Sequence, residues 1–188
     1  MSNIIGISGS PRINKGSSYN YLKRVTNKII SSYIYNSKDL KLIKKSDTII
    51  FSFPLFVDCL PSHFLKFLIE LDNNKITNKN IYVICNLGFY EGKQGNIAIE
   101  IMKNWCHRTN NNYMGALVIG GGPLFNYPVI KLKPNHYLKK LSDCAINSKL
   151  FNDKYIAPLL PRCIYYRCGN MSFKNDIKKN VVKKKTII

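Results

Sequence analysis

The residues best suited to chemistry stand at the very start of the chain, where Asn3 to Ser18 reads NIIGISGSPRINKGSS. Ser8, Ser10, Arg12, Asn14, Ser17 and Ser18 bring hydroxyls, an amide and a guanidinium into one short stretch. Donors of this kind suit a cluster of anionic oxygens such as a phosphate, and interspersed glycines let the backbone come close to it. The β-branched run Ile4, Ile5 and Ile7 predicts a buried strand, and a helical pattern opens just past Gly16. A loop running from a strand's carboxyl end to a helix's amino end points free N–H groups inward. The helix terminus adds about half a positive charge. No Gly-Lys-Ser/Thr ends the loop and it carries no GxGxxG, so it is neither a Walker loop nor a dinucleotide fingerprint. An ordinary polar βα turn is the competing account of the same residues.

The remaining elements must position this loop. The first helix is expected from Ser17 to about Ser32, with Leu22, Val25 and Ile29 at helical spacing. Tyr33-Ile34-Tyr35 leaves room for only a stub of a second strand, and Asp39 then caps a short helix with Leu40 and Ile43 inward. Asp47 to Phe53 predicts a buried strand ending at Pro54, and Pro61 opens a helix striped by Phe64, Leu65, Leu68 and Leu71. Asn80 to Asn86 predicts another strand, followed by a helix with Ile97, Ile101 and Trp105 on one stripe. Tyr113 to Ile119 is a further strand, closed by Gly120-Gly121-Gly122-Pro123.

This alternation implies right-handed βαβ units and an α/β fold, a three-layer, doubly wound parallel sheet with helices on both faces. Ligands of such sheets sit outside the carboxyl ends of the strands. That rule gathers the loops Ser8–Ser18, Pro54–Leu60 and Asn86–Gly95 at one edge.

Composition sets the bounds. A chain of 188 residues, 45% hydrophobic, supports one domain over 1–188, with a basic C-terminal helix and tail from about residue 160. No stretch approaches the ~20 apolar residues of a membrane span, and the chain runs straight into a strand with no leader, so a cytoplasmic protein is expected. The six cysteines, at 59, 85, 106, 144, 163 and 168, include no CxxC pair and read as reduced thiols, with no metal site. Cys59 reads as a small buried thiol and Trp105 as core. His63, His107 and His136 share no constellation with a cysteine or serine, so no catalytic acid or base is assigned. The net charge of +19 accompanies a lysine-, asparagine- and isoleucine-rich composition, and six lysines fall between Lys174 and Lys185. A solvated basic tail accounts for this without a specific nucleic-acid site.

GSPR with a following Asn14 and Ser17-Ser18, then SFPLF, then NLGFYEG, resembles the flavodoxin-like NAD(P)H-dependent FMN reductases over roughly residues 1–125. LPRCIYYRCGNMSFKNDIKKN also resembles the closing helix of some clostridial-type members. The resemblance implies a five-stranded parallel sheet in the order 2-1-3-4-5, here with the second strand short or missing. It implies FMN, with the phosphate on Ser8, Ser10, Arg12, Asn14, Ser17 and Ser18. Pro54, Leu55, Phe56 and Val57 would flank the flavin, and Asn86, Leu87, Gly88, Phe89, Tyr90 and Glu91 would meet its pyrimidine edge. For Arg12 the competing account is a solvated surface position, and for Phe56 a core aromatic. The resemblance further implies NADH or NADPH as co-substrate, a quinone, flavin or similar small acceptor, and ping-pong turnover. It implies a homodimer too, for which Pro123–Pro134, with Leu124, Phe125, Tyr127 and Val129, is the candidate contact. The cysteine cluster of iron–sulfur flavoprotein relatives is absent. Two other readings stand beside this one: a flavodoxin-type electron carrier, against which the basic balance counts, and a basic nucleic-acid-binding module on the same fold.

Overall fold

Strands β1 (Ile4–Ser8), β2 (Ile29–Ser31), β3 (Thr48–Pro54), β4 (Asn80–Asn86), β5 (Asn112–Ile119) and β6 (Lys154–Ile156) form one sheet in the order β2-β1-β3-β4-β5-β6. Every neighbouring pair is parallel. The structure, a computed structural model, describes residues 3–56, 59–122 and 132–185. The chain divides into two compact units, Met1–Pro158 and Leu159–Ile188.

In the first unit the helices are α1 (Ser17–Leu22), α2 (Ser37–Lys45), α3 (Ser62–Asn73), α4 (Asn96–Arg108) and α5 (Leu132–Ile146). On one face of the sheet Ile7, Phe51, Phe53 and Val83 pack with Phe64, Phe67 and Leu71 of α3 and Ile99 and Met102 of α4. On the other, Ile50, Tyr82, Ile84 and Leu117 pack with Tyr21 and Leu22 of α1 and Leu138 and Leu141 of α5. Both faces of the central strands are buried, which is why they read as nearly continuous apolar runs rather than alternating ones. The second unit holds α6 (Arg162–Lys185), where the Arg162 guanidinium lies 5.9 Å from the ring centre of Tyr166. Among the described residues no helix is long and apolar enough to cross a membrane.

The first helix is shorter than its apolar spacing predicts. It stops at Leu22, Val25 and Thr26 both donate their N–H to the Leu22 carbonyl, and Gly6 N–H bonds the Lys28 carbonyl. The chain thereby enters the sheet early, because Ile29 and Ile30 gain ladder bonds against β1 that a helix would not give them. The second strand is therefore present but three residues long, and it is Ile29–Ser31 rather than Tyr33-Ile34-Tyr35. Tyr33 and Ile34 are exposed instead. The cap of α2 is Asn36, not Asp39. The Asn36 side chain accepts from the Lys38 and Asp39 N–H groups while Asp39 accepts from the Asn36 N–H, a reciprocal capping box.

In α4 the inward stripe is Ala98, Ile99, Met102, Trp105 and Cys106, whereas Ile97 points outward. Trp105 is core as expected, and its indole N–H donates to the Leu68 carbonyl at 3.2 Å. The sixth strand extends the sheet beyond the five that the resemblance implies. Asp153 pins it, its Oδ1 accepting from the Tyr113 hydroxyl (2.7 Å) and the Ala116 N–H (2.8 Å) while Lys103 approaches Oδ2 at 3.1 Å. Register slips between β4 and β5 at Ile81/Tyr82, and there Gly115 adopts φ +123°. A Cβ at Gly115 would stand 1.6 Å from the Phe151 carbonyl oxygen, so only glycine lets that chain pass.

Candidate functional site

The registers Ser8↔Ser52, Pro54↔Asn86 and Asn86↔Ile119 align the carboxyl ends of β1, β3, β4 and β5. The loops that leave those ends meet around a cleft of about 750 Å³. The first loop contributes Ser10, Arg12, Ser17 and Ser18, the second Pro54, Leu55 and Phe56, and the third Asn86, Leu87 and Gly88.

Each loop is held by backbone bonds that prolong the sheet. Gly9 N–H donates to the Ser52 carbonyl at 2.7 Å, and the Arg12 N–H then turns back to Ser10 Oγ at 3.2 Å. Leu55 N–H donates to the Asn86 carbonyl at 2.8 Å, and Phe56 and Cys59 exchange two bonds of 3.0 Å. Leu87 N–H bonds the Ile119 carbonyl, while Gly121 and Gly122 donate to the carbonyls of Phe89 and Leu87. His63, at the start of α3, supports the first loop: its Nε2–H donates to the Gly9 carbonyl at 3.0 Å, and its ring meets Tyr33 edge-on at 5.3 Å. Nothing in the sequence around His63 signals this role.

The predicted residues divide. Ser10, Arg12, Ser17, Ser18, Pro54, Leu55, Phe56, Asn86, Leu87 and Gly88 line one cleft. Ser8 is buried below it, its hydroxyl facing the Ser10 N–H at 3.5 Å. Asn14 is exposed, in the left-handed region at φ +53°, and is not among the lining residues. Phe89, Tyr90 and Glu91 also stand outside the lining, and Val57 lies outside the described residues. Pro123 to Lys131, most of the candidate dimer contact, lies outside them as well. Phe56 is half exposed rather than core. Cys59 is intermediate rather than buried.

Pro11, Gly16, Asn20 and Gly122 line the cleft without having been singled out. Asn20 was legible, since it follows Ser17 by one helical turn on the same face. Gly122 was not, because only the pairing of β5 with β4 carries it there.

The walls differ in chemistry. The first loop presents hydroxyls and a cation, and Gly16 caps α1 with no side-chain bond to its first amides. The second presents apolar surface and an exposed ring. At Gly88 no protein atom beyond its two chain neighbours lies within 4 Å of where a Cβ would stand, so the missing side chain leaves open space beside the cleft. Ser18 Oγ donates to Asn86 Oδ1 at 2.8 Å, which commits its proton within the protein. Burial pushes the thiols of Cys85 and Cys106 up to about 12, which keeps both protonated and unreactive at neutral pH. Among the described residues no group of three or more His, Cys, Asp or Glu could hold a metal ion.

Neither a protein-family model nor a curated protein matches the sequence. Solved structures do match the chain trace. The Trp repressor binding protein from Bacillus subtilis aligns with a TM-score of 0.60 at 16% identity, over 76% of this chain and 97% of its own. The fold is flavodoxin-like. An NADH:FMN oxidoreductase in its apo form aligns at 0.59 and 13% identity, over 77% of this chain and 90% of its own. A flavodoxin from Streptococcus pneumonia aligns at 0.58 and 9%, over 77% and 97%. The flavodoxin-like sheet order places the cleft at the β1/β3 switch point, where β2 and β1 lie to one side and β3 onward to the other.

Proposed function

We propose that this chain is an FMN-dependent oxidoreductase that uses NADH or NADPH to reduce a small acceptor such as a quinone or a flavin. The observation that carries the reading is the convergence of a hydroxyl- and arginine-bearing loop with an apolar, ring-bearing loop on one cleft at the sheet's switch point. Bound FMN would accept hydride from the nicotinamide and deliver electrons to the acceptor.

The chain's own part is binding and orientation. A phosphate monoester is close to a dianion at neutral pH, and Arg12 supplies the opposing charge while Ser10 and Ser17 supply hydroxyl donors. Leu55 and Phe56 offer the apolar and aromatic surface that a flat ring covers, and Gly88 keeps the third loop from obstructing it. No side chain is needed as a proton donor, because the cofactor would carry the chemistry.

The test is anaerobic. Protein loaded with FMN and mixed with NADH or NADPH should lose its flavin absorbance within seconds, before any acceptor is added. Steady-state data with a quinone should then give parallel double-reciprocal lines. Failure to bind FMN removes the flavoprotein reading. Binding without reduction by either nicotinamide replaces it with the electron-carrier one.

A further inference from the structure

The Gly9–Ser10 peptide opens the first loop, and it is held on two sides. Gly9 N–H donates to the Ser52 carbonyl at 2.7 Å, and a Cβ at Gly9 would stand 2.7 Å from that of Phe53, so this glycine is seated against β3. Its carbonyl is turned to α3, where His63 Nε2–H reaches it at 3.0 Å. His63 is the second residue of α3, and Phe64 beside it packs on Phe51 and Phe53 at ring-centre distances of 5.5 and 4.9 Å. That turn of the helix is thereby fixed on the core, and the Tyr33 ring, edge-on at 5.3 Å, limits rotation of the imidazole. A trans peptide sets its carbonyl and the following N–H on opposite sides, and no peptide among the described residues is cis. With the Gly9 oxygen turned to α3, the Ser10 N–H is turned the other way. Ile5 and Ile7 face α3, so Ser8, one position on, faces α1, and its Oγ is the acceptor that Ser10 N–H meets there. The distance is 3.5 Å, beyond the roughly 2.7–3.2 Å of an ordinary N–H···O bond. Ser10 is 6% exposed and lines the cleft, so a buried amide with so long a bond keeps capacity for a ligand oxygen.

From this we infer that His63 is a positioning residue for a phosphate monoester: by holding the Gly9 carbonyl on α3, it aims the Ser10 N–H at a phosphate bound between the first loop and the start of α1. The inference rests on the phosphate reading of that loop. It adds a main-chain donor to the side chains already named, and a helix on the opposite face of the sheet that sets its direction. Without the imidazole the Gly9 oxygen is free to swing toward the anion, which it repels, and the Ser10 N–H leaves the site with it. A phosphate oxygen, charged and a strong acceptor, gains most from an amide already turned to it. The uncharged ring of a flavin gains nothing from that amide.

Amide NMR and flavin binding on the full chain test it. In the wild type, FMN should move the Ser10 amide resonance downfield and slow its exchange with solvent, and riboflavin should do neither. His63→Ala should weaken FMN by about fivefold or more and leave riboflavin within about twofold, as the loss of one donor to a charged group requires. His63→Gln, whose amide nitrogen can stand where Nε2 stands, should bind FMN within about twofold of the wild type. Glutamine is neutral, so its rescue separates the hydrogen bond from any charge on the imidazole. A wild type that binds neither flavin overturns the flavoprotein reading and this inference together. A wild type that binds FMN without moving the Ser10 amide overturns the inference alone, and that measurement needs no variant. So does His63→Ala protein that holds FMN as tightly as the wild type or loses FMN and riboflavin by one factor. His63→Gln protein as weak toward FMN as His63→Ala overturns it too.

Discussion

Ser18 Oγ and Asn86 Oδ1 lie 2.8 Å apart, both side chains buried, and the bond ties the first helix to the end of β4 between two loops of the cleft. A serine that looks like a phosphate donor in the sequence is therefore a strut in the structure. Ser18→Ala strands a buried carbonyl oxygen and should cost about 1–3 kcal/mol of stability in urea unfolding. It should weaken FMN and riboflavin by the same factor. A loss confined to FMN would return the hydroxyl to the phosphate.

Arg12→Ala should behave in the opposite way. Its side chain is exposed and lines the cleft, so stability should barely change. Hydrogen bonds to a charged group are worth about 1.5–3 kcal/mol, roughly 10- to 150-fold in affinity. That loss should fall on FMN and spare riboflavin, as read by fluorescence quenching of each ligand.

Gly115→Ala probes the passage between β5 and the segment leading to β6. The added carbon would collide with the Phe151 carbonyl at a backbone angle that L-residues rarely adopt. A loss above about 3 kcal/mol is expected, through strain rather than lost contact, and thermal melting measures it.

Alkaline pH should destabilise the fold. Cys85 and Cys106 are held at about 12 against an ordinary 9.0, and Tyr82 at about 12 against 10.0, in each case chiefly by burial. Below about pH 8 these groups are largely protonated in both folded and unfolded chains. Above it the unfolded chain loses protons first, so it binds fewer of them and stability falls as pH rises. Each cysteine contributes a slope of about 1.4 kcal/mol per pH unit once its unfolded form has ionised, until the folded form ionises too near 12. Urea midpoints between pH 8 and 11 should show the decline, and Cys106→Ala should make it shallower.

Much of the site was legible because it lies on contiguous stretches. The strand Asn80–Asn86 matches its expected bounds, and β3 and β5 lie within a residue of theirs, since β-branched runs buried on both faces declare themselves locally. The loops that follow them were named, and ten of their predicted residues share one cleft. The errors fall where local pattern competes with a distant partner. Leu22, Val25 and Ile29 keep helical spacing, but Ile29 and Ile30 are claimed by the edge of β1, a bond partner no window around them contains.

What the amino-acid order determined unaided was the alternation of strand and helix, and with it the class of fold and the sheet edge where three loops meet in a cleft. Tertiary structure alone decided the rest. β6 is three residues long and owes its place to Asp153 reaching Tyr113 and Ala116, forty and thirty-seven positions away. Gly122 and Ser18 took their parts in the cleft from sheet register and from a bond spanning sixty-eight residues. Ile97 turned outward once Ala98, Ile99 and Met102 filled the core. Periodicity names the face of a helix only to within a residue or so, and which neighbour claims it is settled by packing against the sheet.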